Sequence, residues 1–573
     1  MGNSTSNGGD NSNTSSVQTK YSTKPKTTSD QNITKTATSP STSKSLSTTS
    51  HSLFQKATVS QHHHPTNDTT TATATKRKYN HVWDYYTKLD HVAQGSTCDI
   101  FTVVRSEVQD HRSDNGTTTT KSSTTTSTQQ QSTTFILKQM DKHKVSPIIL
   151  QEMQSEIDIL KTLDHPHVVR IYETFQDEHC VYLIMEHLKG GDLFSRHHYT
   201  ESQVARIIRQ ICSALVYCHE NHVVHRDIKM ENIMFDTKEP DSDVTLIDFG
   251  LSTKYIKSPG HEKLTDRVGT MYSMSPQVLE GAYNEKADMW AVGVVAYILL
   301  TGKRPFDADT DKELAKKIYQ GQYSMTGPEW QHVSPHAKTL VRQLLEYVPS
   351  QRLSAAAALR SSFLQKKKKK KHSSTDPPHH PATDPQTFNR IQQALIDSQK
   401  ASQLRKFAMM VIAYRMPVED IVELRTAFDE LDEDNHGTIN YREFKKVLSQ
   451  SQHTRKKLPD KELKSLFQEL DQNQTGVINY TEFLAATLDT RMLVERGLIR
   501  SAFDKLDLDQ SGYIQPDELE EFLGHSIPRE TIQDTFQQLD QDGDGKISYT
   551  EFMALFENEQ ETRFRAAADA VPK

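Results

Sequence analysis

The chain has 573 residues and a net charge of -7, which allows roughly two to four domains and argues against a dedicated nucleic-acid binder. Only 35% of the residues are hydrophobic, and the deficit is concentrated in residues 1–78, which are rich in Ser, Thr, Asn, Gln, Gly and Lys. Such a segment cannot bury enough apolar surface to offset its conformational entropy, so we predict a disordered tail. The four cysteines have no zinc-type spacing, which favours reduced thiols in a cytoplasmic protein.

The first residues fit a lipidation pattern. Gly2 and Ser6 have the spacing M-G-x-x-x-S/T, which predicts an N-myristoyl group on Gly2; a chance match in a Ser/Thr-rich tail is the alternative. A single acyl chain predicts weak, reversible membrane association. The lysine run 366–371 fits a second membrane signal, a nuclear address or a solvated linker, and we favour the linker.

The remaining chain divides into segments by composition. An apolar pattern covers 79–364 and is interrupted by a low-complexity insert at about 106–134. A Lys/Pro/His-rich linker follows at 365–386, and a helical segment follows at 387–416. Residues 417–561 contain a fourfold repeat with a period of 33 to 39 residues, and a short tail covers 562–573. A period in this range predicts repeated helix–loop–helix units.

Segment 79–364 contains the groups that phosphoryl transfer from ATP requires. Residues 225–232 read His-Arg-Asp-Ile-Lys-Met-Glu-Asn, and Asp248-Phe249-Gly250 follows about sixteen residues later. This order and spacing resemble those of the eukaryotic protein kinases. The resemblance implies an α+β, bilobal protein-kinase fold and an enzyme that uses ATP and Mg²⁺.

The resemblance also implies a role for each matching position. Asp227 would orient the substrate hydroxyl and accept its proton, and Lys229 would reach the transferring phosphate. Asn232 and Asp248 would hold Mg²⁺. The other ATP-binding positions would be Ala93, Gly95, Cys98, Lys138, Glu156, Glu186 and Leu188. The substrate-side positions would be Asp192, Glu231 and Thr270.

Substrate type and activation follow from the same resemblance. The acidic positions 192 and 231 imply protein substrates with Ser or Thr acceptors and basic residues on the N-terminal side. Asp266 is expected to pair with Arg226 without phosphorylation, although Thr265 remains a candidate phosphorylation site. We expect Leu160, Phe249 and His225 to stack in the active arrangement.

Three motifs depart from the family pattern. The phosphate loop at 93–98 keeps only Gly95 of its three glycines, Ile136 replaces the usual alanine near Lys138, and Gln277 replaces an acid expected to face Arg352. These changes predict weaker ATP contacts but remove none of the groups that perform the chemistry. The alternative is a calcium-responsive pseudokinase scaffold, which the intact catalytic residues oppose.

The repeat in 417–561 matches four EF-hand loops, which supply oxygen ligands to Ca²⁺ and have Gly at position 6. The predicted ligands are Asp432, Asp434, His436, Thr438 and Glu443; Asp471, Asn473, Thr475, Val477 and Glu482; Asp507, Asp509, Ser511, Tyr513 and Glu518; and Asp540, Asp542, Asp544, Lys546 and Glu551. Carboxylate counts predict the tightest binding in loop four and weaker binding in loop two, and His436 leaves loop one doubtful. Loops one and two, and loops three and four, should pair through the isoleucine at position 8.

The helical segment 387–416 connects the two parts. Leu404, Phe407, Val411 and Tyr414 share one helix face, and basic residues flank them. A basic amphipathic helix predicts a calmodulin-target-like element, and an ordinary packing helix is the alternative. The order of kinase, basic helix and four EF-hands resembles the calcium-dependent protein kinases. This resemblance implies an all-α calmodulin-like domain, autoinhibition by the helix, release by Ca²⁺, and a monomer.

Overall fold

The computed structural model describes residues 60–63, 81–95, 97–106, 133–255, 263–365, 385–449, 459–488, 498–507, 511–523, 533 and 536–556. Gly2, the lysine run 366–371 and Asp509 therefore lie outside the described residues, as does most of the predicted insert. No helix in the described ranges is long and apolar enough to cross a membrane.

The small lobe is built on one sheet. Its strands are β1 (Ser60–His63), β2 (Tyr86–Gln94), β3 (Asp99–Arg105), β4 (Thr134–Asp141), β5 (Ile171–Gln176) and β6 (Cys180–Met185). The spatial order is β1-β5-β6-β4-β3-β2, and every pairing among β2 to β6 is antiparallel. Strand β1 pairs in parallel with β5, so these four residues are an exception to the predicted disorder of residues 1–78.

Two helices accompany this sheet: α1 (Val82–Tyr85) and α2 (Pro147–Leu160). Helix α2 begins where its sequence predicts a start, because Ser146 caps the N-terminus by accepting a hydrogen bond from the Ile149 N–H and Pro147 occupies the first turn. Its buried residues include Glu156 and Leu160, which face the sheet and the large lobe.

The large lobe is mainly helical. Its helices are α3 (Glu201–Glu220), α4 (Pro276–Glu280), α5 (Lys286–Thr301), α6 (Asp311–Gln320), α7 (Pro335–Leu344) and α8 (Ala355–Leu359). Its short strands are β7 (Val223–Val224), β8 (Ile233–Phe235), β9 (Val244–Leu246) and β10 (Thr253–Lys254). Helix α5 is apolar on all sides and almost wholly buried, so it forms the centre of this lobe.

The segment between the large lobe and the repeat differs from its prediction. The sequence predicted one helical stretch over 387–416, whereas the structure has α9 (Pro385–Asp397), a 3₁₀ turn (Ser398–Lys400) and α10 (Gln403–Arg415). The break has a local cause, because Ser402 caps the second helix by accepting a hydrogen bond from the Arg405 N–H.

The repeat folds into helix–loop–helix units. Its helices are α11 (Val422–Leu431), α12 (Tyr441–Ser449), α13 (Asp460–Leu470), α14 (Tyr480–Thr487), α15 (Leu498–Leu506), α16 (Pro516–Leu523) and α17 (Tyr549–Ala554). Its strands are β11 (Ile439–Asn440), β12 (Val477–Ile478), β13 (Tyr513–Ile514) and β14 (Ile547–Ser548). The position-8 isoleucines pair as predicted, Ile439 with Ile478 and Ile514 with Ile547. We call α11 to α17 the sensor.

Candidate active site and calcium sites

The lysine predicted to contact the ATP phosphates forms an ion pair inside the small lobe. Strand β4 places Lys138 and helix α2 places Glu156, and the lysine Nζ lies 2.9 and 2.8 Å from the two carboxylate oxygens. Asp248 is 3.8 Å from the same nitrogen. Burial disfavours the charged ammonium, but Glu156 and Asp248 outweigh it and raise the pKa of Lys138. The lysine therefore stays charged where phosphates would lie.

Three of the predicted residues surround the carboxylate of a fourth, Asp227. Lys229 Nζ donates to Asp227 Oδ2 at 2.8 Å and to the Thr270 hydroxyl at 3.0 Å, and Thr270 donates to Asp227 Oδ1 at 2.8 Å. The Asn232 amide donates to Asp227 Oδ2 at 3.0 Å. These contacts hold Asp227 in one orientation, as a residue that receives a proton from a hydroxyl requires.

The residues predicted to hold Mg²⁺ have suitable atoms available. Asn232 uses its Nδ2 for Asp227, so its amide oxygen is the atom that remains for a cation. Burial works against ionisation of Asp248, yet Lys138, His225 and Lys229 together lower its pKa. An ionised carboxylate and an amide oxygen are ligands that Mg²⁺ prefers, so these residues fit the ion.

The arrangement below the catalytic loop is that of an assembled kinase. The His225 and Phe249 rings lie 4.6 Å apart, and both residues are fully buried, as is Leu160. Asp288 accepts hydrogen bonds from the His225 and Arg226 N–H groups at 3.0 and 2.9 Å. The predicted contact between His225 and Phe249 is found, and Leu160 is buried in the same apolar cluster.

The activation segment also follows its prediction. Arg226 Nη1 donates to Asp266 Oδ2 at 3.0 Å although Asp266 is 66% exposed. Arg352 Nη2 donates to the amide oxygen of Gln277 at 2.9 Å. Burial lowers the pKa of Arg352 to about 10, which is consistent with a site that has an amide where a carboxylate would stabilise the charge.

The predicted phosphate loop still forms a tight turn although it has lost two of its glycines. The Gly95 N–H donates to the Cys98 carbonyl at 2.7 Å, which closes the turn at the tip of β2 and β3. Cys98 is half-buried, and burial raises the pKa of its thiol. The thiol therefore stays neutral beside Lys138, and its side chain occupies space that a glycine would leave for phosphate oxygens.

Two residues predicted to bind ATP, Glu186 and Leu188, follow β6. Leu188 is buried in the segment that joins the lobes. The Glu186 side chain points away from the cleft, because Arg170 donates to it through Nε at 3.1 Å. Only the backbone of Glu186 remains for the predicted ATP contact, and the sequence offered no signal for this pairing.

The substrate-side residues occupy the rim of the large lobe. Glu231 accepts a hydrogen bond from the Tyr272 hydroxyl at 2.7 Å. Asp192 accepts one from the Ser195 N–H at 2.9 Å. Both carboxylates are therefore held in place by hydrogen bonds from neighbouring residues.

The loops of the sensor test whether Ca²⁺ fits. In loop one, carboxylate oxygens of Asp432, Asp434 and Glu443 lie within 4.8 Å of one another, and the same holds for Asp540, Asp542 and Asp544 in loop four. Burial and the neighbouring carboxylate of Glu443 raise the pKa of Asp432, a crowding that a cation relieves. The carboxylates of loops one and four fit Ca²⁺ and would hold it. This includes loop one, which contains His436.

Loop two has fewer carboxylates, as predicted. Asp471 Oδ2 accepts from the Gly476 N–H at 2.8 Å, and Glu482 accepts from the N–H groups of Asn473 and Asn479. Burial raises the pKa of Glu482 to about 8.

Loop three repeats the hydrogen bonds of loop two, because the Gly512 N–H donates to Asp507 at 2.8 Å and the Gln515 N–H donates to Glu518 at 2.8 Å. Positive φ at Gly437, Gly476, Gly512 and Gly545 makes the turn at position 6.

The predicted face of the connecting helix is buried inside the sensor. Leu404, Phe407 and Val411 belong to one apolar cluster with residues of α11 to α17. Tyr414, the fourth predicted residue, instead packs on the kinase, where its hydroxyl donates to the Ile171 carbonyl at 3.0 Å. The helix is therefore held by the sensor along its length and by the kinase at its end.

The sensor itself docks on the kinase, which sequence reasoning missed. Arg425 of α11 pairs with buried Asp236, and the Thr481 N–H and hydroxyl donate to Asp164 at 3.0 and 2.7 Å. Arg170 also donates to the Tyr414 and Met416 carbonyls at 3.2 and 2.9 Å. Each of these side chains looks like an ordinary polar surface residue in the sequence, because its partner in the docking contact lies at least 189 residues away.

Comparisons with known proteins agree with this geometry. The protein kinase domain family matches residues 116–364, and the EF-hand domain pair matches 421–488 and 498–557. "Calcium-dependent protein kinase 16" of Oryza sativa subsp. japonica is 34% identical over 428 residues, which are 73% of this chain and 75% of that protein. "Calcium-dependent protein kinase 34" of Arabidopsis thaliana is 35% identical over 437 residues, 74% and 79% respectively.

A relative outside plants gives the same result. "Calcium-dependent protein kinase 5" of Plasmodium falciparum is 32% identical over 429 residues, which cover 73% of this chain and 72% of that protein. The similarity thus extends through the kinase lobes and the sensor together. The chain belongs to the calcium-dependent protein kinase family.

Proposed function

We propose that this protein is a calcium-activated serine/threonine kinase that transfers the γ-phosphoryl group of ATP to protein hydroxyls. The observation that carries the proposal is the network around Asp227, in which Lys229, Thr270 and Asn232 all donate to one carboxylate. Asp227 would accept the hydroxyl proton while Lys229 neutralises charge on the transferring group. Bound Mg²⁺ would supply further charge neutralisation at Asn232 and Asp248.

Substrate choice follows from the rim carboxylates. Asp192 and Glu231 favour substrates with basic residues on the N-terminal side of the acceptor. The test is phosphate transfer from Mg-ATP to an arginine-containing serine peptide, with calcium and with chelator, and with Asp248→Ala as the blank. Transfer that requires both calcium and Asp248 supports the proposal. Calcium binding with no transfer above the blank would favour a pseudokinase scaffold instead.

We further propose that the connecting helix autoinhibits the kinase when calcium is low. The support is that its apolar residues Leu404, Phe407 and Val411 need a partner surface and have one here only because the sensor surrounds them. When calcium leaves, sensor lobes close their apolar grooves, and the released helix would pack against the large lobe and obstruct substrate entry. Because the sensor is tethered to the kinase, no separate activator is needed and we expect a monomer.

Hydrogen exchange in the full chain tests this release. The amides of α10 should show different exchange protection in the presence of calcium and in the presence of chelator. The protection of the buried helix α5 should be the same in both conditions. Light scattering of the same samples measures the molar mass, which should be that of the expected monomer. An α10 protection pattern that does not change with calcium, in protein whose activity does change, would rule out release of the helix.

Membrane association is a separate proposal. Gly2 lies in a myristoylation pattern, and one myristoyl chain supports only marginal, reversible binding. Labelling with a myristate analogue in the presence of an N-myristoyltransferase should modify the native chain and not Gly2→Ala. The proposal would be overturned if the modified and the unmodified chain bound liposomes equally well.

A further inference from the structure

One carboxylate of the kinase contacts the sensor directly beside a calcium loop. Asp164 lies between α2 and β5, where its N–H donates to the Tyr217 hydroxyl of α3 at 3.3 Å. Its Oδ2 accepts from the Thr481 N–H at 3.0 Å, and its Oδ1 accepts from the Thr481 hydroxyl at 2.7 Å. Both residues are buried. The kinase core therefore fixes a carboxylate whose two oxygens hold one residue of the sensor.

Thr481 immediately precedes a predicted calcium ligand. It occupies position 11 of loop two and is the second residue of α14, and Glu482 at position 12 follows on the same turn. The first N–H groups of a helix have no partner within the helix, and Asp164 accepts from that of Thr481. The kinase contact and the calcium ligand lie on adjacent residues of one helical turn, so the position of that turn determines both.

The next kinase residue contacts the paired loop. A Cβ added at Gly437 of loop one would overlap the His165 ring, so the backbone of this loop lies against the ring. The ring is held in turn by a hydrogen bond of 3.0 Å between its Nε2 and the Ser213 hydroxyl. Loops one and two pair through β11 and β12. Two consecutive kinase residues thus contact both loops of the first pair.

Loop four provides an internal comparison. Residues 480–483 and 549–552 both read Tyr-Thr-Glu-Phe, and Thr550 occupies position 11 of its loop as Thr481 does. Thr481 is 2% exposed and lies against Asp164, whereas Thr550 is exposed. The two sites have the same local sequence and differ in their contact with the kinase.

We propose that Asp164 is a positioning residue for the calcium site of loop two. In the docked protein it holds the first turn of α14 where the Glu482 carboxylate serves the loop, and so it raises the calcium affinity of loop two. This loop has only two carboxylates, Asp471 and Glu482, so its affinity depends strongly on the placement of Glu482. Calcium binding and docking then favour each other by linkage.

Helix α14 also contacts the connecting helix. It packs against α10, and its Phe483 and Leu484 belong to one apolar cluster with Leu404. One short helix therefore has a calcium ligand, a kinase contact and a face on α10. The regulatory meaning of the contact rests on the calcium-activated function proposed above, whereas the calcium affinity is measured without kinase activity.

The first experiment measures calcium binding to the full chain by equilibrium dialysis. A lost hydrogen bond to a charged group weakens docking about ten- to hundredfold, which is about three- to tenfold for each of the two ions of the loop pair. Thr481→Val should therefore raise the calcium concentration that half-fills the weaker sites about three- to tenfold. Thr481→Ser keeps the donors and should bind as the native chain does. Thr550→Val is the matched control, and equal shifts in the two valine variants would overturn the proposal.

Asp164→Asn tests the other partner of the contact. It should raise the same calcium concentration, and its combination with Thr481→Val should add little because both changes remove one contact. In chelator the unfolding midpoint should equal that of the native chain, and a lower midpoint would assign Asp164 a structural role instead. Unchanged calcium affinity in a variant whose kinase activity still requires calcium would overturn this proposal and leave the proposed function standing.

Hydrogen exchange on the native chain does not depend on how any variant folds. With calcium, the amides of the first turn of α14 should exchange more slowly than those of α17, although both turns have the sequence Tyr-Thr-Glu-Phe. In chelator the difference should disappear. Equal protection of the two turns in the presence of calcium would overturn the proposal.

Discussion

Replacing Arg425 with methionine should weaken the docking of the sensor on the kinase. Arg425 is 2% exposed and its guanidinium pairs with Asp236, which is 3% exposed and also accepts from the Thr245 hydroxyl at 2.7 Å. Methionine keeps the packing volume but removes the charge. The Asp236 carboxylate would then be buried without a counter-charge when the sensor is docked, and hydrated when it is not.

The size of the effect follows from that difference. Removing one partner of a buried ion pair costs about 3–5 kcal/mol. Protonation of Asp236 sets an upper limit, because neutralising a carboxyl with an ordinary pKa of 3.8 at about pH 7.5 costs about 5 kcal/mol. Burial already raises the pKa of Asp236 to about 7, so protonation is an accessible response. The docking equilibrium should fall by about 10²- to several 10³-fold.

Calcium-dependent activity is the assay for this change. If four calcium ions load together, such a penalty raises the half-maximal calcium concentration about four- to eightfold. Arg390→Met is the matched control, because Arg390 forms an exposed pair with Glu423 and exposed pairs contribute little. Asp236→Asn combined with Arg425→Met should recover much of the loss. An unchanged calcium midpoint in Arg425→Met would refute the reasoning.

Three further predictions concern single sites. Ala93→Gly with Cys98→Gly should lower the KM for ATP about fivefold, for about 1 kcal/mol of recovered phosphate contact; an unchanged KM in steady-state kinetics contradicts this. Gln277→Glu should raise the unfolding midpoint by about 2–4 °C, because a carboxylate would pair with Arg352, whose pKa burial lowers to about 10; a lower midpoint in calorimetry contradicts it. Glu551→Gln should remove the tightest calcium ion, and its retention in equilibrium dialysis would show that another loop binds tighter.

The clustering of the predicted catalytic residues and the form of the predicted calcium loops could be read from the sequence, because chemistry fixes both the type and the spacing of such residues. A carboxylate that accepts a proton needs cationic and amide neighbours, and the order of Asp227, Lys229 and Asn232 in one loop supplies them. The EF-hand loops are local in the same sense, since all ligands of one loop lie within twelve residues. Such patterns do not depend on how distant parts of the chain meet.

The docking contacts were not predictable for the opposite reason. Asp164 and Thr481 are 317 residues apart, and neither has a neighbour in sequence that signals the pairing. The break between α9 and α10 also escaped the prediction, because Ser402 reads equally well as a helical residue or as an N-cap. Glu186 was predicted to bind ATP, yet its side chain accepts a hydrogen bond from Arg170, a contact that forms only when β5 and β6 lie side by side.

The energy of helix capture contributes to the proposed switch only as the difference between the two surfaces that the helix could occupy. Leu404, Phe407 and Val411 are buried within the sensor, and burying such side chains stabilises by about 1.5–3 kcal/mol each, or about 5–9 kcal/mol together. Shifting a two-state equilibrium from 1:99 to 99:1 requires about 5.5 kcal/mol. These side chains cannot be buried in the sensor and against the large lobe at once. In the proposed switch the helix face changes partners, so burial in the sensor counts only beyond what contact with the large lobe would bury. The ion pair of Arg425 with Asp236 adds to the stability of the docked position.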